Sequence, residues 1–339
     1  MTSDTTNRFL HLEQLVGNTP MLVLKYLYKG QAGRIFVKCE QYNLTGSVKD
    51  RMVLNILKNA YHRGRVNPGD ELVEATSGNT GISLAAIGRA LGHPVHIIMP
   101  GWLSSERFDI IRSYGATVTK VSKDEGGFRR SIELAKDMAQ AGTVFLPCQF
   151  DNPDNPAAHE HTTAPEIIDQ LQTIGLQPDA VVAGVGSGGT IMGIGRGIRK
   201  HYPSVRIHPL EPAESPTLST GYKVGEHRIQ GISDEFIPRI VQLDELDDIV
   251  RVHDGDAIIT AQKLALQAGL GVGISSGANV AGAIRLQHDL GPGSVVVTLL
   301  CDSNKKYLST ALMRPEPTMP HYISSALEFT GYDTILTLK

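Results

Sequence analysis

The sequence predicts an α/β protein of two units, each a mostly parallel, twisted sheet flanked by helices. Three observations carry that expectation. The 339 residues suffice for two domains at ~150 residues each. Short β-rich apolar runs alternate with amphipathic helical stretches along most of the chain. The turns leading from strand into helix are rich in glycine and small polar residues, which is where such sheets collect their ligands.

In chain order, strands are expected at 35–39, 71–75, 95–99, 117–121, 144–147, 180–184, 205–210 and 295–300. Helices fall between them at 50–63, 79–91, 104–114, 128–141, 163–174, 190–201, 254–268 and 277–289. Helix 50–63 shows the logic: Val53, Ile56, Leu57 and Ala60 recur at i, i+3, i+4 and i+7 and mark one buried face. There is no internal repeat. The stretch from Pro315, with prolines again at 317 and 320, is expected to leave the globular body and pack over its surface or on a partner subunit, with a mobile tip.

Composition narrows the function classes. A hydrophobic content of 41% supports a substantial core, and a net charge of −3 gives no reason to expect nucleic acid or an anionic membrane as partner. Cys39, Cys148 and Cys301 lie far apart, which suits a reducing cytoplasm better than a disulfide framework or a zinc module. The N-terminal residues lack a basic region followed by an apolar core, and no run approaches the ~20 apolar residues of a membrane span. His159, Glu160 and His161 read as surface or core residues, because i and i+2 do not share a helix face. No metal site is expected.

Three junctions concentrate the chemistry. In 74-EATSGNTG-81, Thr76, Ser77, Asn79 and Thr80 offer hydroxyls and an amide while Gly78 and Gly81 let the backbone turn tightly at a helix start, where free N–H groups suit a carboxylate or phosphate. In 184-GVGSGGTIMG-193, Gly186, Gly188 and Gly189 bring backbone N–H groups close together, with Ser187 and Thr190 adding hydroxyls, as a phosphate cup requires. The same segment satisfies G-x-G-x-x-G, with Glu211 as an acid on the next strand, so a nicotinamide-dependent dehydrogenase is a rival on this motif alone. The third junction, 271-GVGISSGAN-279, reads equally well as a helix cap.

Lys49, in 45-TGSVKDRMVLNIL-57, falls at a helix N-terminus, where the backbone dipole disfavours cations. An unprotonated lysine amine is a nucleophile that can form an imine with an aldehyde. With a phosphate cup elsewhere, the implied ligand carries both an aldehyde and a phosphate. Pyridoxal 5′-phosphate fits.

From Leu15 to Thr310, about nine-tenths of the chain in colinear order, the sequence resembles the cysteine synthase/cystathionine β-synthase family of fold-type II pyridoxal-phosphate enzymes, whose fold is tryptophan synthase β-like. GSVKDR at 46–51 and TSGNTG at 76–81 are its most specific motifs. The resemblance implies that Lys49 bonds covalently to the cofactor and that Asn79 hydrogen-bonds the pyridine 3-oxygen. It implies that Gly186, Ser187, Gly188, Gly189 and Thr190 form the phosphate cup. Ser275 would face the pyridine nitrogen, a neutral hydroxyl that leaves the nitrogen unprotonated and favours β-chemistry. Thr76, Ser77, Thr80 and Gln149 would grip the substrate α-carboxylate, and the loop 229–238, with Gly231 and Asp234, would face the second substrate.

The activity implied is β-replacement on an O-activated L-serine, O-acetyl-L-serine foremost, with sulfide, through an α-aminoacrylate, to give L-cysteine. The same chemistry with homocysteine or an amino-acid amine is the alternative. Glu74-Ala-Thr-Ser and Cys301-Asp302 are similar to the thiosulfate-using isozyme, yet Ser233, Asp234 and Glu235 stand where that isozyme has arginines, and carboxylates repel thiosulfate. The cystathionine branch has a tyrosine in place of Asp234. The family likeness further implies residues 50–158 as a smaller mobile domain, 1–49 plus 159–314 as the larger cofactor-binding domain, and 315–339 as a tail. It implies a homodimer acting on small amino-acid substrates, with the tail of a serine acetyltransferase as a possible partner. Neither haem-binding nor regulatory modules are expected.

Overall fold

The computed structural model describes residues 3–142 and 144–336. The chain runs α1 (Ser3–Glu13), β1 (Met21–Tyr28), β2 (Gln31–Cys39), α2 (Lys49–His62), β3 (Glu71–Ala75), α3 (Asn79–Leu91), β4 (Val95–Pro100), α4 (Ser105–Ser113), β5 (Thr117–Val121), α5 (Gly127–Gln140) and β6 (Val144–Phe145). It continues with α6 (Asp154–Ala158), a π-helical turn over His159–Thr163, α7 (Ala164–Thr173), β7 (Ala180–Gly184), α8 (Gly189–Arg199), β8 (Arg206–Pro212), α9 (Thr217–Thr220), β9 (Val250–Val252), α10 (Asp254–Ala268), α11 (Ile274–Leu290), β10 (Val296–Leu300) and β11 (Leu327–Ile335).

The strands form two sheets. One has the order β5-β4-β3-β6 and is wholly parallel. The other has the order β11-β1-β2-β10-β7-β8-β9. From β2 to β9 this larger sheet is parallel, and β10 and β7 are buried along nearly their whole length, as strands covered by helices on both faces must be. One face packs on α10 and α11 through Leu264, Ala278 and Ile284, the other on α7 and α8 through Ile167, Leu171 and Ile194. Among the described residues, no helix is long and apolar enough to cross a membrane.

The structure corrects the sequence-based expectations in three places. Residues 315–336 do not merely lie over the surface as a tail. β11 adds to the sheet as an antiparallel edge strand, Met21 opposite Ile335 and Tyr28 opposite Leu327, with one irregularity between Lys25 and Tyr26. The tip expected to be mobile, 337–339, lies outside the described residues. β1 itself, paired antiparallel with β2, was not among the expected strands. Finally, α1 packs Phe9 and Leu12, and the chain just beyond it Val16, with Met52, Leu57 and Leu84 in the core of the smaller sheet, although residues 1–49 were assigned to the larger unit.

Candidate active site

Lys49 is the first residue of α2, preceded by Val48 with no capping side chain. The turn before it is fixed by Asp50, whose carboxylate accepts from the Thr45 N–H at 2.6 Å, the Thr45 hydroxyl at 2.6 Å and the Ser83 hydroxyl at 2.5 Å. The Val48 N–H donates to the Cys301 carbonyl at 2.9 Å, so the lysine's backbone is docked on the end of β10. One residue beyond Asp50, the Arg51 guanidinium forks between Glu40 and Glu166 at 2.6–2.8 Å and clamps α2 to the larger sheet. A buried pair satisfied this completely is costly to break from either side, so α2 presents Lys49 from a rigid base.

Lys49 opens into an inner cavity of about 50 Å³ where both sheets end. Eleven of the fourteen residues singled out from sequence line it: Lys49, Thr76, Ser77, Asn79, Thr80, Gln149, Ser187, Thr190, Gly231, Asp234 and Ser275. Gly186, Gly188 and Gly189 do not line it but shape the loop that does. A Cβ on Gly186 would stand 2.3 Å from the Gly231 carbonyl oxygen, and Gly188 has φ +87°, so neither position tolerates a side chain without strain. No side chain caps the N-terminus of α8, which leaves its first N–H groups open to a ligand. Asn155 donates to the Ser187 hydroxyl at 3.0 Å, and Asn279 accepts from the Gly184 N–H at 2.8 Å, so the loop is held at both ends. The loop and the helix start thus form a preformed cup of N–H groups suited to an anion.

A family profile described as pyridoxal-phosphate dependent enzyme matches residues 12–302. The chain belongs to that family. Among relatives of the pyridoxal-phosphate enzymes it is similar to, cysteine synthase of Staphylococcus aureus is 39% identical over 302 residues, covering 89% of this chain and 96% of that one. The probable cysteine synthase of Bacillus subtilis is 41% identical over 299 residues, 88% and 96% of the two chains. The crystal structure of a hydrogen sulfide-producing enzyme from Fusobacterium nucleatum superposes with a TM-score of 0.95 at 53% identity, covering 98% of this chain and all of that one. An aspartate-to-asparagine variant of the same enzyme, in complex with an α-aminoacrylate intermediate, gives 0.96.

The residues fit the cofactor of this family: an amine at one end of the cavity, and an uncapped, glycine-cradled helix start for a phosphate at another. The dehydrogenase reading is set aside. Glu211, the acid that would hold a ribose, is fully buried and committed to the Leu218 N–H at 2.8 Å, the Ser219 hydroxyl and Arg251 at 3.3 Å.

Several neighbours of the pyridoxal-phosphate site escaped the sequence reading. Asn79 donates through Nδ2 to Asp302 at 2.7 Å and accepts at Oδ1 from Lys306 at 2.9 Å, so its amide has a fixed sense and one N–H left over. His159 is buried in contact with the cup, its Nε2 3.3 Å from the Thr190 hydroxyl and its Nδ1 2.9 Å from the Thr163 hydroxyl. Burial pulls its pKa down to about 3, so it orients Thr190 as a neutral ring. Gln149 carries more structure than expected: it accepts from the Thr80 hydroxyl at 2.7 Å and donates to the Ala75 carbonyl at 3.0 Å, tying the loop after β3 to the 147–159 segment. Below it, burial raises the Glu74 carboxyl to about 8.

α11 starts at Ile274, three residues before the expected start at 277, so Ser275 falls in its first turn, and it lines the cavity with Cys301. Burial pushes that thiol up to about 12, which leaves it unreactive. Asp234 lines both the inner cavity and a wider mouth of about 550 Å³, and burial raises its carboxyl to about 6 against the opposing pull of Lys49. Glu235 instead leans to Arg129 at 3.4 Å.

Proposed function

We propose that the chain catalyses β-replacement on O-acetyl-L-serine with sulfide to give L-cysteine. The observation that carries this reading is the convergence of Lys49 and the uncapped starts of α3 and α8 on one cavity. It is supported by the cysteine synthases among the relatives. When bound, pyridoxal 5′-phosphate supplies the electron sink that makes the substrate's α-proton acidic and lets the β-substituent depart.

The chain's own residues do the rest. Gly186, Ser187, Gly188, Gly189 and Thr190 would hold the phosphate on α8's dipole. The spare N–H of Asn79 would donate to the ring oxygen, its other groups being tied to Asp302 and Lys306. Ser275 would meet the ring nitrogen with a neutral hydroxyl. Thr76, Ser77, Thr80 and Gln149, with the first N–H groups of α3, would receive the α-carboxylate. Lys49, once free as an amine, would take the α-proton and later return it at the same carbon. Gly231 and Asp234 would face the incoming nucleophile.

Asp234 favours a second reading. A carboxylate in the cavity repels hydrosulfide, and at a pKa of about 6 it can accept a proton from a neutral nucleophile at physiological pH. The same chemistry run with L-cysteine as donor would release sulfide, which accords with the relative named as hydrogen sulfide-producing. Steady-state rates for O-acetyl-L-serine with sulfide, set against sulfide release from L-cysteine, decide between the two. A faster cysteine reaction overturns the first reading, and no reaction with either overturns both.

The smaller, mobile domain at 50–158, the homodimer, the cytoplasmic location and an acetyltransferase tail as partner belong to this proposal as well. Light scattering tests the dimer directly.

A further inference from the structure

We propose that Arg107 is the charged ligand of the substrate's α-carboxylate, an inference that rests on the amino-acid substrate of the proposed function. Arg107 lies in the first turn of α4, and at 1% exposure it is among the largest fully buried side chains. Its guanidinium lies over the ring of Tyr307, with Cζ 4.8 Å from the centroid. Among the described residues, its Nε and Nη1 have no hydrogen-bond partner. Asp302, an acid beside Tyr307, takes the Tyr307 hydroxyl and Asn79 on Oδ2, both at 2.7 Å; its Oδ1 is buried without a hydrogen-bond partner, and no ion pair within 4.0 Å joins it to Arg107. A buried cation without a counter-ion is among the costliest arrangements a fold can hold.

The place of this orphan charge explains it. Arg107 lines the inner cavity together with Lys49, Ser77, Asn79 and Thr80. A Cβ on Gly78 would stand 2.6 Å from its Nε, so the guanidinium is packed directly on the loop that opens α3. α4 is itself anchored across the cleft: Ser104 donates to the Lys306 carbonyl at 3.0 Å, and the Ser309 N–H and hydroxyl both donate to Glu106 at 2.7 Å. The anion common to every amino-acid substrate is its α-carboxylate. A guanidinium N–H gives a carboxylate a charge-assisted hydrogen bond, roughly twice as strong as the neutral bonds that hydroxyls and amides offer. The polar loop would give the carboxylate its shape, and Arg107 its charge.

The test compares two ligands that differ only in the carboxylate. Holoenzyme is titrated with O-acetyl-L-serine and with 2-aminoethyl acetate, binding being followed by the cofactor's visible absorption at equilibrium. Arg107→Met is expected to weaken O-acetyl-L-serine by ~10–100-fold, the worth of a charge-assisted pair, while leaving 2-aminoethyl acetate within about twofold. Arg107→Lys should recover part of the loss. Equal weakening of both ligands would mean that Arg107 only props up the loop, and no weakening would mean that it does neither; each overturns the proposal. Should Arg107→Met melt at the working temperature, Arg107→Lys against wild type gives the same discrimination at smaller scale. If wild-type protein ignores O-acetyl-L-serine but responds to L-cysteine, the substrate reading has failed, and L-cysteine against cysteamine tests Arg107 in its place. Response to no amino acid removes the ligand and the proposal with it.

Discussion

The two glycine-bearing loops at the cavity look alike in sequence and differ in how they are held. The loop at 184–190 is braced from outside by Asn155, His159 and Asn279 and packed on Gly231, all within or against the larger sheet. The loop at 76–80 hangs from the smaller sheet. Its bonds run to itself (the Gly78 N–H to the Thr76 hydroxyl at 3.0 Å), to Gln149, and through Asn79 to Asp302 and Lys306 across the cleft. A permanently bound group needs the first kind of support, and a substrate that arrives and departs needs the second.

Lys49 stands between the loops, and its removal should have the largest effect. Lys49→Ala is expected to cut turnover by at least ~10³–10⁴-fold, the usual worth of a positioned base, and to abolish the covalent cofactor band. A variant that keeps that band would mean the amine lies elsewhere. Next comes Gly186→Val, whose side chain would meet the Gly231 carbonyl. It should cost ~2–4 kcal/mol of stability and weaken cofactor retention, as measured by dialysis and absorbance. Loss of substrate affinity with full cofactor retention would erase the contrast between the loops.

Glu74 sharpens the comparison through pH. Its carboxyl is raised from 4.5 to about 8 by burial, so between those values the folded state keeps a proton that the unfolded state has released. Stability must then fall as pH rises across that window, by of order 3–5 kcal/mol in all. Glu74→Gln should flatten this dependence in urea melts at pH 5 and 8.5; parallel curves for variant and wild type would argue against it. The smallest effect is expected from Thr80→Val, which leaves the Gln149 carbonyl oxygen unpaired. KM for the amino acid should rise by ~10-fold with cofactor retention intact.

Much of this was legible in the sequence because it is local. Strand 71–75, strand 180–184, helix 79–91 and helix 254–268 fall where their periodicity puts them, and the glycine junctions mark the cavity. Pairing between distant segments left no such mark. β1 and β11 are separated by some three hundred residues, and neither run announces the other. Arg107 escaped for the same reason: in SSERFDII it reads as a solvated helix residue, and only Gly78 and Tyr307, brought from far along the chain, enclose it. Asp302 and Lys306 likewise acquire meaning only once they meet Asn79.

The edge position of β11 bears on how this protein ages and is handled. Proteolytic clipping ahead of Leu327 would strip the outer neighbour from an eight-residue, mostly buried strand and bare a row of unpaired amides. Such an open border recruits strands from other molecules, so trimmed preparations would cloud and self-associate even with every catalytic group in place.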